Sequence, residues 1–395
     1  MPEPRVLVIN CGSSSVRYQL RAGAGTRLAG TIDGIGGDRP RWQTQDGECE
    51  LPAGAVDHRG ALAATFDALA AQAAIPAAIG HRVVHGGPRF AGAVRVDERV
   101  RAEIARLAPL APHHNPRNLL GIEVAAARYP GVPQVAVFDT AFHHGLPERA
   151  RRYPLPPEAL AGGEPPRRYG FHGISHGAAA RRAAAWLGRP LEEVDLITLH
   201  LGNGASAAAI RGGHSIDTSM GFTPLEGLVM GTRCGDLDPA LPLLLQESGR
   251  SPQQVRELLE HRSGLLALCG SSEMREIRRR AAAGDRAAAF ARELFAYRVK
   301  KTIGAYLAVL GGAQALVFTG GIGAHDGELR RQCVEGLEGL GIVLGAEPRD
   351  DDTGTSALHD PDRSRTAVLA MVADEEAEIA RQVRDCLGLG APAPG

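Results

Sequence analysis

Lysine is almost missing from this 395-residue chain: Lys300 and Lys301 are the only two. That excludes the phosphate loop Gly-x-x-x-x-Gly-Lys-Ser/Thr, because neither lysine follows a glycine. An excess of either charge is also missing. The 44 Lys+Arg against 45 Asp+Glu leave a net charge of −1, so no global basic field exists for nucleic acid. Aromatics are only 4%, and the core must be built from Ala, Leu, Val and Ile. The six cysteines lie far apart with no Cys-x-x-Cys pair, which argues against a disulfide framework or a zinc ribbon. No apolar stretch of about 20 residues is present to span a bilayer. The run Val6–Ile9 is too short for a signal peptide's apolar region. The expectation is a cytoplasmic protein with reduced thiols and no membrane or nucleic-acid partner.

What is present is α/β organisation. Val6–Ile9, Val135–Phe138, Leu196–Leu201 and Ala315–Thr319 are short apolar runs rich in β-branched residues, each ending in a polar or glycine-rich turn. Helical patterns lie between them at Arg59–Ala74, Ala178–Leu187, Arg286–Leu310 and Asp374–Leu387. Pro154–Pro166 reads as an exposed connection. At roughly 100–200 residues per domain, two domains are expected. A duplication is faintly visible. The strand and turn at Val6–Ser15 resemble Leu196–Ser206, and Val135–Phe138 resembles Ala315–Phe318 at similar spacing. Ordinary strands in two unrelated halves would look much the same.

Three glycine-containing turns follow strands: Asn10-Cys-Gly-Ser-Ser-Ser15, Leu201-Gly-Asn-Gly-Ala-Ser206 and Thr319-Gly-Gly-Ile-Gly323. Missing Cβ atoms let a ligand approach the backbone, and N–H groups at a helix start attract phosphate. With 50 glycines one such turn is weak evidence, but three at strand ends point to a nucleotide cleft. Gly321-Ile-Gly-Ala-His-Asp326 lacks the third glycine of the dinucleotide fingerprint. A duplicated α/β layout with phosphate turns but without these motifs points toward the actin-like ATPase and sugar-kinase superfold.

Among charged residues, Arg82 lies within the apolar stretch His81-Arg-Val-Val-His85 and could reach an anion; a surface arginine is the plain alternative. On a strand, His81 and His85 would sit roughly 13 Å apart, too far to share a metal. In Tyr169-Gly-Phe-His-Gly-Ile-Ser-His176, Ser175 is a candidate N-cap, with His172 in the preceding turn and His176 in the helix's first turn. The zinc pattern His-Glu-x-x-His fails, because Gly173 stands where Glu would be. The stretch Met220–Pro239 has no period, and a loop of that length is usually functional. Arg233 is its most exposed-looking cation. Asp139, Glu226, Asp236, Asp238 and Glu375 are acidic candidates for a Mg2+ shell.

Taken in order, these segments closely resemble the acetate and propionate kinase family. Gly80-His-Arg-Val-Val-His-Gly-Gly87, Phe138-Asp-Thr-Ala-Phe-His143, Tyr169–His176, His200-Leu-Gly-Asn-Gly204 and Met220–Gly235 look like that family's signatures, and the match runs from Val6 to Glu376. The resemblance implies a duplicated actin-like, sugar-kinase-type ATPase fold with two domains around a nucleotide cleft. One domain is expected over 1–141 plus 376–395, with carboxylate and metal contacts. The other is expected over 142–375, with the nucleotide site and the dimer interface of a homodimer. The implied reaction is reversible, in-line phosphoryl transfer between ATP and a short carboxylate, with Mg2+ (Mn2+ as the substitute), giving ADP and an acyl phosphate. By resemblance, Asn10 and Glu375 hold the metal. Arg82 and Arg233 bind the carboxylate and the moving phosphoryl group, His172 hydrogen-bonds that group, and Asp139 sits beside it. Ser13, Ser15 and Arg17 approach the phosphates, as do His200, Leu201, Gly202, Asn203 and Gly204. Glu273, Met274 and Arg275, with Gly321, Ile322, Gly323, Ala324 and His325, fall where the family holds adenosine. Val84, His113, Phe171 and Pro224 wall the acyl pocket.

Departures from the family pattern are Arg17 for Lys, Ala324-His325 for Glu-Asn, Asp374 for Asn and His113 for Leu. An inward His113 would make the acyl pocket more polar than in the family; an outward ring would leave it unchanged. Rival readings are a propionate or other short-chain acyl kinase on the same scaffold, a non-catalytic nucleotide-binding actin-like protein, and a histidine metallohydrolase. The missing Glu argues against the last.

Overall fold

Strands covered on both faces read as continuous apolar runs, and Val6–Ile9 lies in such a strand, β1 (Arg5–Cys11). The fold is that of a computed structural model, which describes residues 3–389 apart from 24, 38, 53–54, 56, 73–74 and 161–164. The chain divides into two compact units, Met1–His144 with Asp374–Gly395, and Gly145–Ala373.

The first unit holds one eight-stranded sheet, ordered β5-β4-β3-β2-β1-β6-β8-β7. Its further strands are β2 (Ser15–Ala22), β3 (Gly25–Asp33), β4 (Arg41–Thr44), β5 (Gly47–Cys49), β6 (Ala78–Val83), β7 (Val94–Arg95) and β8 (Gln134–Phe138). β1, β6 and β8 are parallel; the others pair antiparallel. Leu7, Ile9, Cys11 and Ile79 pack into a core with Leu62, Phe66 and Ala125. On the opposite pleat, Val8 pairs with Gly80, and the helix Glu375–Leu387 covers them. A Cβ on Gly80 would lie 2.7 Å from Val383 Cγ2, so the missing side chain lets the helix seat on the sheet.

The second unit repeats the plan, with the order β11-β10-β9-β12-β15-β14-β13. The strands are β9 (Asp195–Leu201), β10 (Ala205–Arg211), β11 (His214–Thr218), β12 (Ala315–Thr319), β13 (Leu344–Asp350), β14 (Thr355–His359) and β15 (Ala367–Met371). β9, β12 and β15 are parallel. The shared block is therefore β3-β2-β1-β6-β8 in one unit and β11-β10-β9-β12-β15 in the other. The match of Val6–Ser15 with Leu196–Ser206 holds. The second match is corrected: Ala315–Thr319 sits beside β9 as β6 sits beside β1, and Val135–Phe138 answers to β15. Equal spacing along the chain misled, because inserted helices between strands differ in length.

Helix Arg286–Leu310 has the expected bounds, with Asp285 accepting from Ala287 and Ala288 N–H and Gly311 closing it at φ 74°. The Arg59–Ala74 pattern forms helix His58–Ala71, capped by Asp57; residues 73–74 lie outside those described. The connection Pro154–Pro166 holds one short turn at Pro157–Ala159, and 161–164 also lie outside. No strand or helix interrupts Met220–Pro239. Among the described residues no helix is long and apolar enough to cross a membrane.

Candidate active site

In the first unit the strand registers bring the predicted residues to one edge. Asn10 on β1 pairs with Arg17 on β2, and Ile9 with His81 on β6, so Asn10, Arg17 and Arg82 share a face. Arg82 pairs with Val137 on β8, and Asp139 follows two residues on, again on that face. This is the carboxyl end of three parallel strands, where open α/β sheets bind ligands. The turn Gly12–Ser15 closes with Gly12 N–H donating to Ser15 O at 2.8 Å, leaving Ser13 exposed and Ser15 half-buried.

Arg82 is already held. Its Nε and Nη2 both donate to Asp139 Oδ2, at 3.0 and 2.6 Å, and Nη1 donates to Asn10 Oδ1 at 3.3 Å. Asp139 takes the Nε–Nη2 edge, and the Nη1–Nη2 edge remains for an anion. Burial disfavours the arginine's charge, but Asp139, Glu375 and Glu376 outweigh it and hold its pKa above the usual value. Burial pushes the Asp139 carboxyl up, Arg82 pulls it down, and Glu375 adds to the upward push. Glu375 opens the helix Glu375–Leu387, whose N-cap Asp374 accepts from Ala377 N–H. Arg17, exposed, pairs with Glu376 at 3.6 Å.

A divalent cation fits here. Asp139 is 2% exposed, and its Oδ1 is buried with no hydrogen-bond partner among the described residues. That oxygen is the hard kind of donor such an ion takes; the Asn10 amide oxygen, which accepts from Arg82, and the Glu375 carboxylate, which raises the Asp139 pKa, would be its companions. The other acidic candidates are used elsewhere. Glu226 accepts from Arg168 and Tyr153, Asp236 Oδ1 from Gly227 N–H, and Asp238 Oδ1 from Ala240 N–H.

Sequence reasoning missed Asn115 and Asn118, both buried. Asn118 accepts from Val84 N–H at 3.1 Å and donates to Cys11 O at 2.9 Å; Asn115 bonds both backbone groups of His85. They hold the exit of β6 and so aim the chain after Arg82. Asn-Pro-Arg-Asn118 at a helix start was the available signal. Val84 is buried, whereas His113 is exposed in the turn before helix Asn115–Arg128. The exposure of His113 speaks for the outward reading, in which the acyl pocket is unchanged.

In the second unit, His172 is the only described non-glycine residue with positive φ, at 55°. It occupies the N-cap of helix Gly173–Trp186. Such a conformation is uncommon outside glycine and persists where the surroundings enforce it. The expectation of Ser175 as N-cap is corrected. The left-handed His172 followed by Gly173 starts the helix earlier, and the Ser175 hydroxyl instead bonds His200 Nδ1 at 2.7 Å. His172 Nδ1 and His176 Nε2 each lie 2.8 Å from Ser206 Oγ, and His176 Nδ1 lies 2.7 Å from Thr198 Oγ1. The His172 and His200 rings lie 4.3 Å apart.

Arg233, in the loop after β11, donates from Nη1 to Pro224 O at 3.1 Å. Burial lowers its pKa, Glu260 opposing, and no ion pair to it occurs among the described residues. A Cβ placed on Gly204 would lie 3.4 Å from His172 Nε2 and 3.5 Å from Arg233 Nη1. His172 and Arg233 thus converge on Gly204, whose missing side chain lets both approach it. Phe171, just before His172, is buried.

A cavity of about 330 Å³ in the same unit is lined by Gly202, Asn203, Glu273, Met274, Arg275, Gly321, Ile322 and His325, with Ser272, Arg278 and Asp326 unforeseen. Asp326 is fixed by buried Arg292 at 2.9 Å. Gly323 and Leu201 are buried beneath it, Ala324 is half-buried, and His200 joins the His172 cluster instead. Gly320 (φ 76°) brings helix Gly320–His325 close to β9, where a Cβ would meet Leu201 O at 2.5 Å.

Two sheets of one repeated order define a duplicated actin-like kinase fold. The Acetokinase family pattern matches residues 5–381, and the chain belongs to that family. It is 48% identical to an acetate kinase of Streptomyces avermitilis over 98% of each chain, and 47% identical to one of Syntrophobacter fumaroxidans over 96% of each. The crystal structure of Porphyromonas gingivalis acetate kinase superposes with a TM-score of 0.87 at 36% identity, covering 97% of this chain and all of that one. A propionate kinase from Francisella tularensis superposes at 0.89 with 34% identity, covering 97% of this chain and 99% of that one.

Proposed function

We propose that the chain is an acetate kinase, transferring the γ-phosphoryl group of ATP reversibly to acetate to give acetyl phosphate and ADP. A carboxylate oxygen forms the new bond to phosphorus as the bond to the ADP oxygen breaks. Acetate is ionised at pH 7, since a carboxylic acid of this kind has a pKa near that of Glu, about 4.3, so no base is required. The transferring group spreads charge over its equatorial oxygens, and catalysis is positioning plus charge stabilisation. The observation that carries the reading is the convergence of His172 Nε2 and Arg233 Nη1 on Gly204, in a chain about half identical to acetate kinases.

In this reading Arg233 and His172 donate to the phosphoryl oxygens and Arg82 offers its Nη edge to the carboxylate. Asp139 keeps Arg82 oriented. Val84, Phe171 and Pro224 meet the acyl methyl. Asn10, Glu375 and Asp139 would hold Mg2+, which when bound neutralises phosphate charge. The 330 Å³ cavity takes the nucleoside, and Ser13, Ser15 and Arg17 approach the phosphates. The protein works as a cytoplasmic homodimer. Trapping the acyl phosphate as a hydroxamate, with ATP and formate, acetate, propionate or butyrate, tests the reading. Acetate should give the highest kcat/KM. Preference for propionate would select the other acyl kinase, and no product from any acid would leave only nucleotide binding.

A further inference from the structure

Ser206 is fully buried between two histidines, and a hydroxyl has one proton to give. It lies 2.8 Å from His172 Nδ1 and 2.8 Å from His176 Nε2. With both rings neutral, a Ser206 hydroxyl that bonds through its own proton donates to one nitrogen and accepts from the other. Two arrangements satisfy this. In one, protons run from Thr198 through His176 and Ser206 to His172 Nδ1, and His172 carries its own proton on Nε2. In the other they run the opposite way, and Nε2 of His172 bears a lone pair. Arg233 Nη1 and His172 Nε2 both approach Gly204 and so face one neighbourhood. A spot served by a guanidinium is built for an anion, and a lone pair aimed into it would repel one.

We infer that Ser206, fixed by His176 and Thr198, is a positioning residue that gives its proton to His172 Nδ1 and thereby sets His172 as an Nε2–H donor. This rests on the reading of His172 as a donor to the moving phosphoryl group. The relay also supports the left-handed backbone at His172, since the ring is bonded from below while its residue caps the helix Gly173–Trp186. His176 and Thr198 are fully buried, so their hydroxyl and ring nitrogens find their partners inside the protein. Their order along the relay passes one orientation from the core to the site.

The test uses the full-length enzyme with ATP and acetate. Ser206→Ala should lower kcat about tenfold and leave KM for both substrates within about twofold. Thr198→Val, which keeps the shape and removes only the far hydroxyl, should lower kcat about threefold. Nitrogen-15 spectra of histidine-labelled wild type should place the His172 proton on Nε2; in Ser206→Ala the two tautomers should mix. A wild-type proton on Nδ1, or a Ser206→Ala kcat within twofold of wild type, overturns the inference. If Ser206→Ala fails to fold, the wild-type spectrum decides alone. His172→Ala is run in parallel. Near-normal turnover there would remove the reading of the site itself, whereas loss in His172→Ala with none in Ser206→Ala removes only the relay.

Discussion

A guanidinium that gives two N–H groups to one carboxylate oxygen is oriented before any ligand arrives, and Arg82 is held so by Asp139. Arg233 donates to Pro224 O and to Met230 Sδ, both uncharged, and keeps more of its charge for an anion. In the proposed reaction, removing either would take a charge-assisted contact from the transition state. Arg82→Ala and Arg233→Ala should each lower kcat by on the order of 10²–10⁴ with circular dichroism unchanged; near-normal turnover would withdraw the role of that arginine. Asp139 separates orientation from proton transfer. Burial raises its pKa against the pull of Arg82, so its charge depends on that partner. Asp139→Asn keeps the shape and an oxygen for Arg82. Turnover should fall by on the order of 10² while the pH–rate profile keeps both limbs; loss of one limb would show an acid or base at this position.

Elements fix where such residues point. The turn joining β9 to β10 carries Gly204, whose absent Cβ leaves the position beside His172 and Arg233 open. An added methyl would stand at ordinary contact distance from both, so Gly204→Ala should melt within a few degrees of wild type yet lose at least tenfold in kcat/KM for ATP. Unchanged kinetics would move the anion elsewhere. On β6, His81 is 1% exposed, and burial pushes its pKa from 6.5 down to about 4, Gln134 opposing. In the orientation that satisfies its neighbours, Gln134 presents its amide nitrogen to His81 Nε2 at 2.6 Å and its oxygen to Ala126 N–H, which favours a neutral ring. The unfolded chain binds a proton below pH 6.5 and the folded chain only near 4. Stability from this residue is therefore complete above 6.5 and is lost as pH falls through that window, by on the order of 2 kcal/mol at pH 5. Denaturant unfolding at pH 7 and 5 should show that much less pH dependence in His81→Gln than in wild type, and equal dependence would locate the effect in another group. The strands were legible because doubly covered strands are apolar throughout, as Val6–Ile9 and Ala315–Thr319 are. Their lateral order was not, since spacing along the chain does not say which strand pairs with which; hence β8 was matched to β12. The glycine turns, Arg233 and His172 stood out by residue type. Ser206, Thr198, Asn115 and Asn118 did not, because a buried hydroxyl or amide that orients a site looks the same in sequence as one that closes a turn.

At the scale of the whole molecule the second unit leaves apolar surface uncovered. Helix Ala240–Glu247, Ala-Leu-Pro-Leu-Leu-Leu-Gln-Glu, has no buried residue; Leu241, Leu243 and Leu244 are 47%, 59% and 56% exposed. Phe290, Tyr297 and Val309, on helix Arg286–Leu310, are exposed as well. Single exposed leucines are ordinary, but an eight-residue helix that is apolar for most of its length and leaves three of its four leucines exposed is not. Covering one such side chain is worth about 1.5–3 kcal/mol, so a handful supplies a standard interface with its driving force. A second copy of the chain suits the proposed homodimer, because a two-fold interface uses the same patch on both partners. Every substitution in it is then felt twice. Leu243→Glu with Leu244→Glu would set four new carboxylates against one another in an apolar contact. Wild type should sediment as a dimer at micromolar concentration and the double variant as a monomer with its circular dichroism retained. A monomeric wild type would refute the homodimer, and a variant that remains dimeric would move the interface away from this helix.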